Sequence, residues 1–343
     1  MVERRRSIAP TFRDRHLERR LATDGFVVLP QLATGHLADL LRVHEHHVRA
    51  LRREQPAPTT EEERLGAEWE ARQHWTGRMG PGARWRNGVD ELTLAEKHEL
   101  FEQLSPACTD LADRLFVDHR LLVLSLLDKR QGADGVLPLH HDPTFVPEEG
   151  HRSVTLWIAL DDIDARTDNG PLHVLPGSHL VAEDLRGTRI EPGYVSGIQE
   201  LWSRTLSVGV RAGDAVVWDS RLLHGSSPNR SGCPRRAVVA VAIPGDARLV
   251  HAVAGEDGHV QVVPVDDSFY RWSSFRTIRD DPPADRDSTS VPRRDPPDAR
   301  AYLAAADRRR RRLALRAHLA TSRWRGRRIS RRVATHAPAG RRP

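Results

Sequence analysis

The feature that most constrains this chain is a change of hydrophobic period. From Leu121 to Ile243 the sequence breaks into short apolar runs: Leu121 to Leu127, Ser153 to Leu160, Leu172 to Leu175, Ala215 to Trp218 and Ala237 to Ile243. They are parted by turn formers such as Asp168-Asn169-Gly170, Pro176-Gly177 and Gly213-Asp214. Such runs are too short for ordinary helices, whereas short strands with tight turns are what a β-sandwich or jelly roll needs. Upstream the period is helical. A short strand, Phe26 to Leu29, follows Asp24-Gly25 and is stopped by Pro30. After it Leu37, Leu40, Leu41, His44, Val48 and Leu51 fall on one stripe, with Thr34 as N-cap. A second helical stretch runs from about Thr93 to Phe116 and is expected to break near Pro106. The fold class is therefore mainly β with flanking helices on one face of the sandwich.

The 343 residues suit one large domain with appendages. That domain is expected over residues 1–280. Residues 281–298, rich in Pro, Asp and Arg, read as a linker, and residues 299–343 as an arginine-rich tail, helical or disordered. The segments Arg52 to Glu63 and His74 to Asn87 read as loops, the second as a mobile loop over a site. No apolar run approaches the ~18 residues of a membrane span, and the first residues lack a secretory pattern, so a cytoplasmic protein is expected. The two cysteines, Cys108 and Cys233, stand outside any metal-binding or disulfide spacing. The formal net charge of +6 is unevenly spread: only Lys97 and Lys129 are lysines, and arginines cluster after Arg308.

Within Leu137-Pro138-Leu139-His140-His141-Asp142, the His-x-Asp pattern puts His140 and Asp142 on one side of an extended chain. His224 ends another apparent strand and supplies a third donor. Two imidazoles and one carboxylate on one face leave three positions open, the arrangement that suits iron(II) in oxygenases. Eleven residues beyond His224, Arg235 has room to return along a neighbouring strand and clamp a carboxylate, with Ser226 adding a third hydrogen bond. On a strand Arg236 faces away from Arg235, and a one-residue change of register swaps the two. Asp219 is either an acceptor for a ligand imidazole or a solvated turn aspartate. His173 and His179 belong to turn-forming stretches and are poor ligand candidates.

LPLHHDPTFV (137–146), DNGPLHVLPGSH (168–179) and HGSSPNRSGCPRRA (224–237), with DGFVVLP (24–30), resemble the motifs of the phytanoyl-CoA dioxygenase family in order and spacing. The resemblance covers roughly residues 17–275. It implies a double-stranded β-helix, a cupin-like jelly roll, with Fe(II) held by His140, Asp142 and His224. It also implies that 2-oxoglutarate is bound by Arg235 and Ser226, with Trp157 lining the co-substrate pocket. The family often has Gln where this chain has His141, so position 141 either touches 2-oxoglutarate or lies exposed.

The activity implied is hydroxylation of a C–H bond in a small metabolite or acyl thioester, with O2 consumed and succinate and CO2 released. Because Asp142 retains the carboxylate, the position a halide would take is filled, which favours hydroxylation or desaturation. The pocket is expected to be shaped by His74 to Asn87 and by Val181 to Ser207, with Tyr194 and Trp202. The alternative is a polyanion- or nucleic-acid-binding protein whose jelly roll binds metal without catalysis and whose stretch Arg308 to Arg332 meets phosphates. Nucleic acid is not the expected partner, because such charge runs are usually solvated appendages. On the enzyme reading, deletion of residues after Asp280 leaves turnover intact.

Overall fold

A computed structural model describes residues 8–52, 85–131, 136–164, 166, 168–233, 235–255, 258–274, 278 and 287–308. In chain order the strands among them are β1 (Phe26–Leu29), β2 (Trp85–Asn87), β3 (His119–Lys129), β4 (Leu137–His140), β5 (Val154–Ala159), β6 (Leu172–Val174) and β7 (Leu206–Val208). There follow β8 (Ala215–Asp219), β9 (His224–Ser226), β10 (Arg235–Pro244), β11 (Leu249–Ala254), β12 (His259–Val265) and β13 (Thr289–Pro292).

A six-stranded sheet in the order β1-β8-β5-β10-β3-β2 faces a four-stranded sheet in the order β4-β9-β6-β7, and β11-β12-β13 form a third. All the ladder pairings are antiparallel. The architecture is a jelly roll with helices on its outer face, mainly β as the pattern of short runs requires.

The two faces of the large sheet follow from the two-residue period of a strand. Leu156 and Ile158 of β5, Ala215 and Val217 of β8, and Val238 and Ala240 of β10 pack outward against Leu21, Leu40, Leu100, Leu104 and Leu111 of three helices, Arg15–Asp24, Leu37–Leu51 and Leu94–Leu115. The alternate residues Trp157, Val216, Trp218 and Ala237 point inward and meet Leu172, Val174 and Val208 of the small sheet. Each fully buried leucine adds ~1.5–3 kcal/mol, so the outer layer carries much of the stability. The inner layer is thereby freed for a site.

Helix Leu94–Leu115 starts on a reciprocal capping box between Thr93 and Glu96. It continues through Pro106 without the expected break. Proline removes one helical hydrogen bond, while Leu100 and Leu104 before it and Cys108 and Leu111 after it are buried in the same cluster and hold the axis together.

The region expected to be linker is also built into the fold. Thr289–Pro292 pairs with β12, and residues 299–308 form a helix that buries Tyr302, Ala305 and Ala306. Tyr302 packs in one cluster with Leu139, Leu175, Tyr194, Ile198, Leu201 and Leu223. The core therefore does not end at Asp280. No helix among the described residues is long and apolar enough to cross a membrane. Of the loops read from sequence, Arg52 and Trp85–Asn87 are described, the latter as edge strand β2 against Leu127 to Lys129. The rest of those loops lies outside the described residues, as does the arginine-rich stretch beyond Arg308.

Candidate metal centre

Strand β4 pairs with β9 so that His140 stands directly opposite His224, with ring centroids 4.3 Å apart. Asp142 lies just past the end of β4, and its N–H donates to Ser220 O at 3.0 Å. Donor atoms of His140, Asp142 and His224 all fall within 4.8 Å of one another, and His224 Nε2 is 3.8 Å from Asp142 Oδ1. Adjacent ligands ~2.0–2.2 Å from one ion stand about 3 Å apart, so the three donors are close enough to converge on one ion once their side chains draw together around it.

Each imidazole is oriented by a backbone carbonyl. His140 Nδ1 is 2.8 Å from Pro138 O and His224 Nδ1 is 3.0 Å from Leu222 O. A carbonyl can only accept, so the ring proton belongs on Nδ1 and Nε2 is the unprotonated nitrogen, the form in which an imidazole binds a metal. Asp142 is oriented likewise: its Oδ2 accepts from Thr155 Oγ1 at 2.9 Å and from Trp218 Nε1 at 3.0 Å, leaving Oδ1 toward His224. Sequence reasoning missed Thr155 and Trp218. They are cross-strand partners on the inward face of β5 and β8, so only the register of those two runs could have revealed them.

Arg235 opens β10 on the inward face, buried, with its guanidinium carbon 5.5 Å from the Trp157 ring centroid. Its Nε has no hydrogen-bond partner among the described residues. Arg236 turns to the outer face, where its backbone N–H and guanidinium hold Asp161 at 2.7–3.1 Å. The register is thus the one in which Arg235 faces the interior.

Opposite Arg235 on β3 stands Lys129, which the sequence reading passed over. It is fully buried, and its Nζ donates to Ser226 Oγ at 2.5 Å and to Ser227 O at 2.8 Å. Ser226, expected to add a third hydrogen bond to the co-substrate carboxylate, accepts from Lys129 through its Oγ. Among the described residues neither cation has an ion pair. Burial pulls the Arg235 guanidinium down to about 10, with Asp161 and Asp128 partly opposing. Burial, then the neighbouring Arg235, pulls Lys129 well below its ordinary value. Arg235 and Lys129 thus stand side by side in the interior, each disfavoured in its charged form by burial, a cost that an anionic partner would relieve.

The remaining candidates lie elsewhere. His141 packs against Tyr194 and Tyr302, with ring centroids 5.4 and 5.6 Å away. Asp219 is buried, bound by Arg221 at 2.7 and 2.9 Å and facing Arg152 at 3.2 Å, so it is neither solvated nor an acceptor for a ligand imidazole. Those cations hold its carboxyl far below the usual range against the effect of burial. His179 Nε2 is 3.2 Å from Ala22 O, and His173 stacks on Trp202.

The family model for phytanoyl-CoA dioxygenase matches residues 23–237. The chain is 28% identical over 132 residues to a phytanoyl-CoA dioxygenase domain-containing protein 1 homolog of Dictyostelium discoideum, covering 36% of this chain and 46% of that protein. It is 29% identical over 117 residues to phytanoyl-CoA dioxygenase 1 of Oryza sativa subsp. japonica, covering 32% and 40%. The chain thus spans less than half the length of these curated relatives.

Among solved structures it is similar to the non-haem α-ketoglutarate-dependent epimerase SnoN from nogalamycin biosynthesis, with 21% identity, a TM-score of 0.46 and coverage of 82% of this chain and 95% of that one. It is also similar to EvdO2 from Micromonospora carbonacea var. aurantiaca complexed with 2-oxoglutarate, with 17% identity, a TM-score of 0.44 and coverage of 78% and 99%. The family match runs through both ligand-bearing strands and reaches β10, and on it the chain belongs to the phytanoyl-CoA dioxygenase family.

Proposed function

We propose that this chain is an iron(II)- and 2-oxoglutarate-dependent oxygenase that hydroxylates a C–H bond of a small metabolite or acyl thioester. The observation that carries the reading is the convergence of His140, Asp142 and His224, with both Nδ1 atoms committed to carbonyls and one Asp142 oxygen committed to Thr155 and Trp218. That donor set suits ferrous iron, and the unpartnered Nε of buried Arg235 suits a carboxylate.

When bound, iron(II) with 2-oxoglutarate and O2 supplies the oxidising power that converts the substrate C–H to C–OH, releasing succinate and CO2. The protein's part is placement. His140, Asp142 and His224 hold the metal on one face, which leaves its other positions for co-substrate and O2. Arg235, with Lys129 beside it, would hold the far carboxylate of 2-oxoglutarate, and that attraction would be little screened because Trp157 and the strand interior are buried. Thr155 and Trp218 keep one Asp142 oxygen aimed at the metal.

The test is a panel of acyl thioesters and small metabolites incubated with iron(II), 2-oxoglutarate and O2, with succinate measured. Substrate-dependent succinate that disappears in His224→Ala supports the reading. Wild-type protein that binds no divalent metal refutes it.

A further inference from the structure

Asp142 lies outside any strand, between the end of β4 and the turn at Glu148, so no ladder fixes its backbone. Its carbonyl is instead held by a side chain from the Val181 to Ser207 stretch. Arg186 Nε donates to Asp142 O at 3.0 Å. The other guanidinium nitrogens grip Glu148 at 2.6 and 3.1 Å and Glu183 O at 2.7 Å. The main chains are also tied: Thr144 N donates to Arg186 O at 2.9 Å, and Arg186 N donates to Thr144 Oγ1 at 3.0 Å. The Arg186 side chain is 7% exposed and that of Glu148 10%.

We propose that Arg186 is a positioning residue for the metal centre, holding the main chain of Asp142 so that its free carboxylate oxygen stays aimed at His140 and His224. Four constraints converge on Asp142. Its N–H is held by Ser220 O, its carbonyl by Arg186, and one carboxylate oxygen by both Thr155 and Trp218. The guanidinium reaches Asp142 from the Val181 to Ser207 stretch, and its planar fork lets one side chain bind Glu148, Glu183 O and Asp142 O together. A lysine of equal charge cannot span all three. Part of the stretch read as a pocket wall thus becomes a back support for a ligand. The inference rests on the proposed metal site.

The experiment measures Co(II) affinity and the visible spectrum of the bound ion in the full chain. Arg186→Met alone leaves the buried Glu148 with only the longer 4.0 Å contact to Arg221 and is expected to destabilise the fold. The double variant Arg186→Met/Glu148→Met removes both charges and is expected to fold, since a buried pair replaced by apolar residues of similar size is often neutral. Its Co(II) dissociation constant should rise on the order of 10- to 100-fold, the usual cost of losing an outer partner of a ligand, with an altered spectrum. Arg186→Lys should also rise.

Wild-type affinity and spectrum in either variant overturn the proposal, because an ion pair needed only for stability would leave both unchanged. A double variant that cannot fold assigns the pair to the fold and likewise overturns it. If wild-type protein binds no Co(II) while staying folded, the metal site itself fails and this inference with it. Binding in the wild type that is lost in His224→Ala separates the two cases.

Discussion

Replacing Arg235 with Met should make the ligand-free protein more stable and 2-oxoglutarate binding much weaker. The guanidinium is buried, its Nε is unpartnered among the described residues, and its folded-state pKa falls to about 10. The drop from the ordinary arginine value corresponds to about 3 kcal/mol of disfavoured charge. Against this, loss of the contact with Trp157 costs about 1–2 kcal/mol, which leaves a net gain of roughly 1–2 kcal/mol. For a domain this large that is a rise in Tm of about 2–8 °C.

The sign with pH is fixed. A cation whose folded value lies below its unfolded value carries its whole penalty at every pH below about 10, so the gain should be equal at pH 6.5 and 8.5. The same change removes two charge-assisted hydrogen bonds from 2-oxoglutarate at ~1.5–3 kcal/mol each, partly offset by Lys129, so affinity should fall on the order of 100-fold. Thermal denaturation with redox-silent Zn(II), with and without 2-oxoglutarate, reads both effects. A variant with a lower ligand-free Tm and an undiminished response to 2-oxoglutarate would refute the reasoning, since Arg235 would then be a core residue and no clamp.

The described helix over residues 299–308 is expected to be indispensable, contrary to a reading that ends the core at Asp280. Tyr302→Ala should cost about 3–5 kcal/mol through the cavity left beside Leu139 and His141, and truncation at Asp298 should cost more, as urea unfolding will show. A truncated chain with the wild-type midpoint would exclude this. Stability of the metal-free protein should also fall as pH drops from about 6.5 to about 4. Burial pulls His44, His179 and His251 down to about 4, so the unfolded chain binds protons that the folded one refuses. Equal urea midpoints at pH 7.5 and pH 5 would count against it.

The legible parts of the chain were those governed by a local period. The runs 121–127, 215–218 and 237–243 lie within β3, β8 and β10, and 153–160 overshoots β5 by one residue at each end, because a strand buried on both faces leaves a continuous apolar run. His140, Asp142 and His224 stood out because ligand chemistry restricts residue type. Lys129, Thr155, Trp218 and Arg186 did not. Each acts through a partner distant in sequence or across a strand pair, and nothing local separates Lys129 from a surface lysine at a strand end. β13 was hidden for a related reason: Thr289–Pro292 sits among prolines and charges, and its pairing along the edge of β12 supplies what its composition lacks.

The large sheet divides stability from chemistry by parity alone, which gives its register a functional meaning. Residues 236, 238 and 240 of β10 face the helices, and residues 235, 237 and 239 face the small sheet. A slip of one residue would send Arg236 into the interior between the sheets and strand Arg235 among the leucines. The register is pinned beside the site: Arg236 is locked to Asp161 on one face, while Asp128, its partner on β3, is gripped by Arg52 at 2.7 and 3.2 Å. These outer ion pairs lie on the face of the sheet away from Arg235 and Lys129, yet they hold β3 and β10 in the register that sets those two side chains next to each other. Asp161→Asn should therefore weaken 2-oxoglutarate binding, read from the thermal shift with Zn(II), although the residue lies on the opposite face of the sheet; an unchanged shift would count against the register argument.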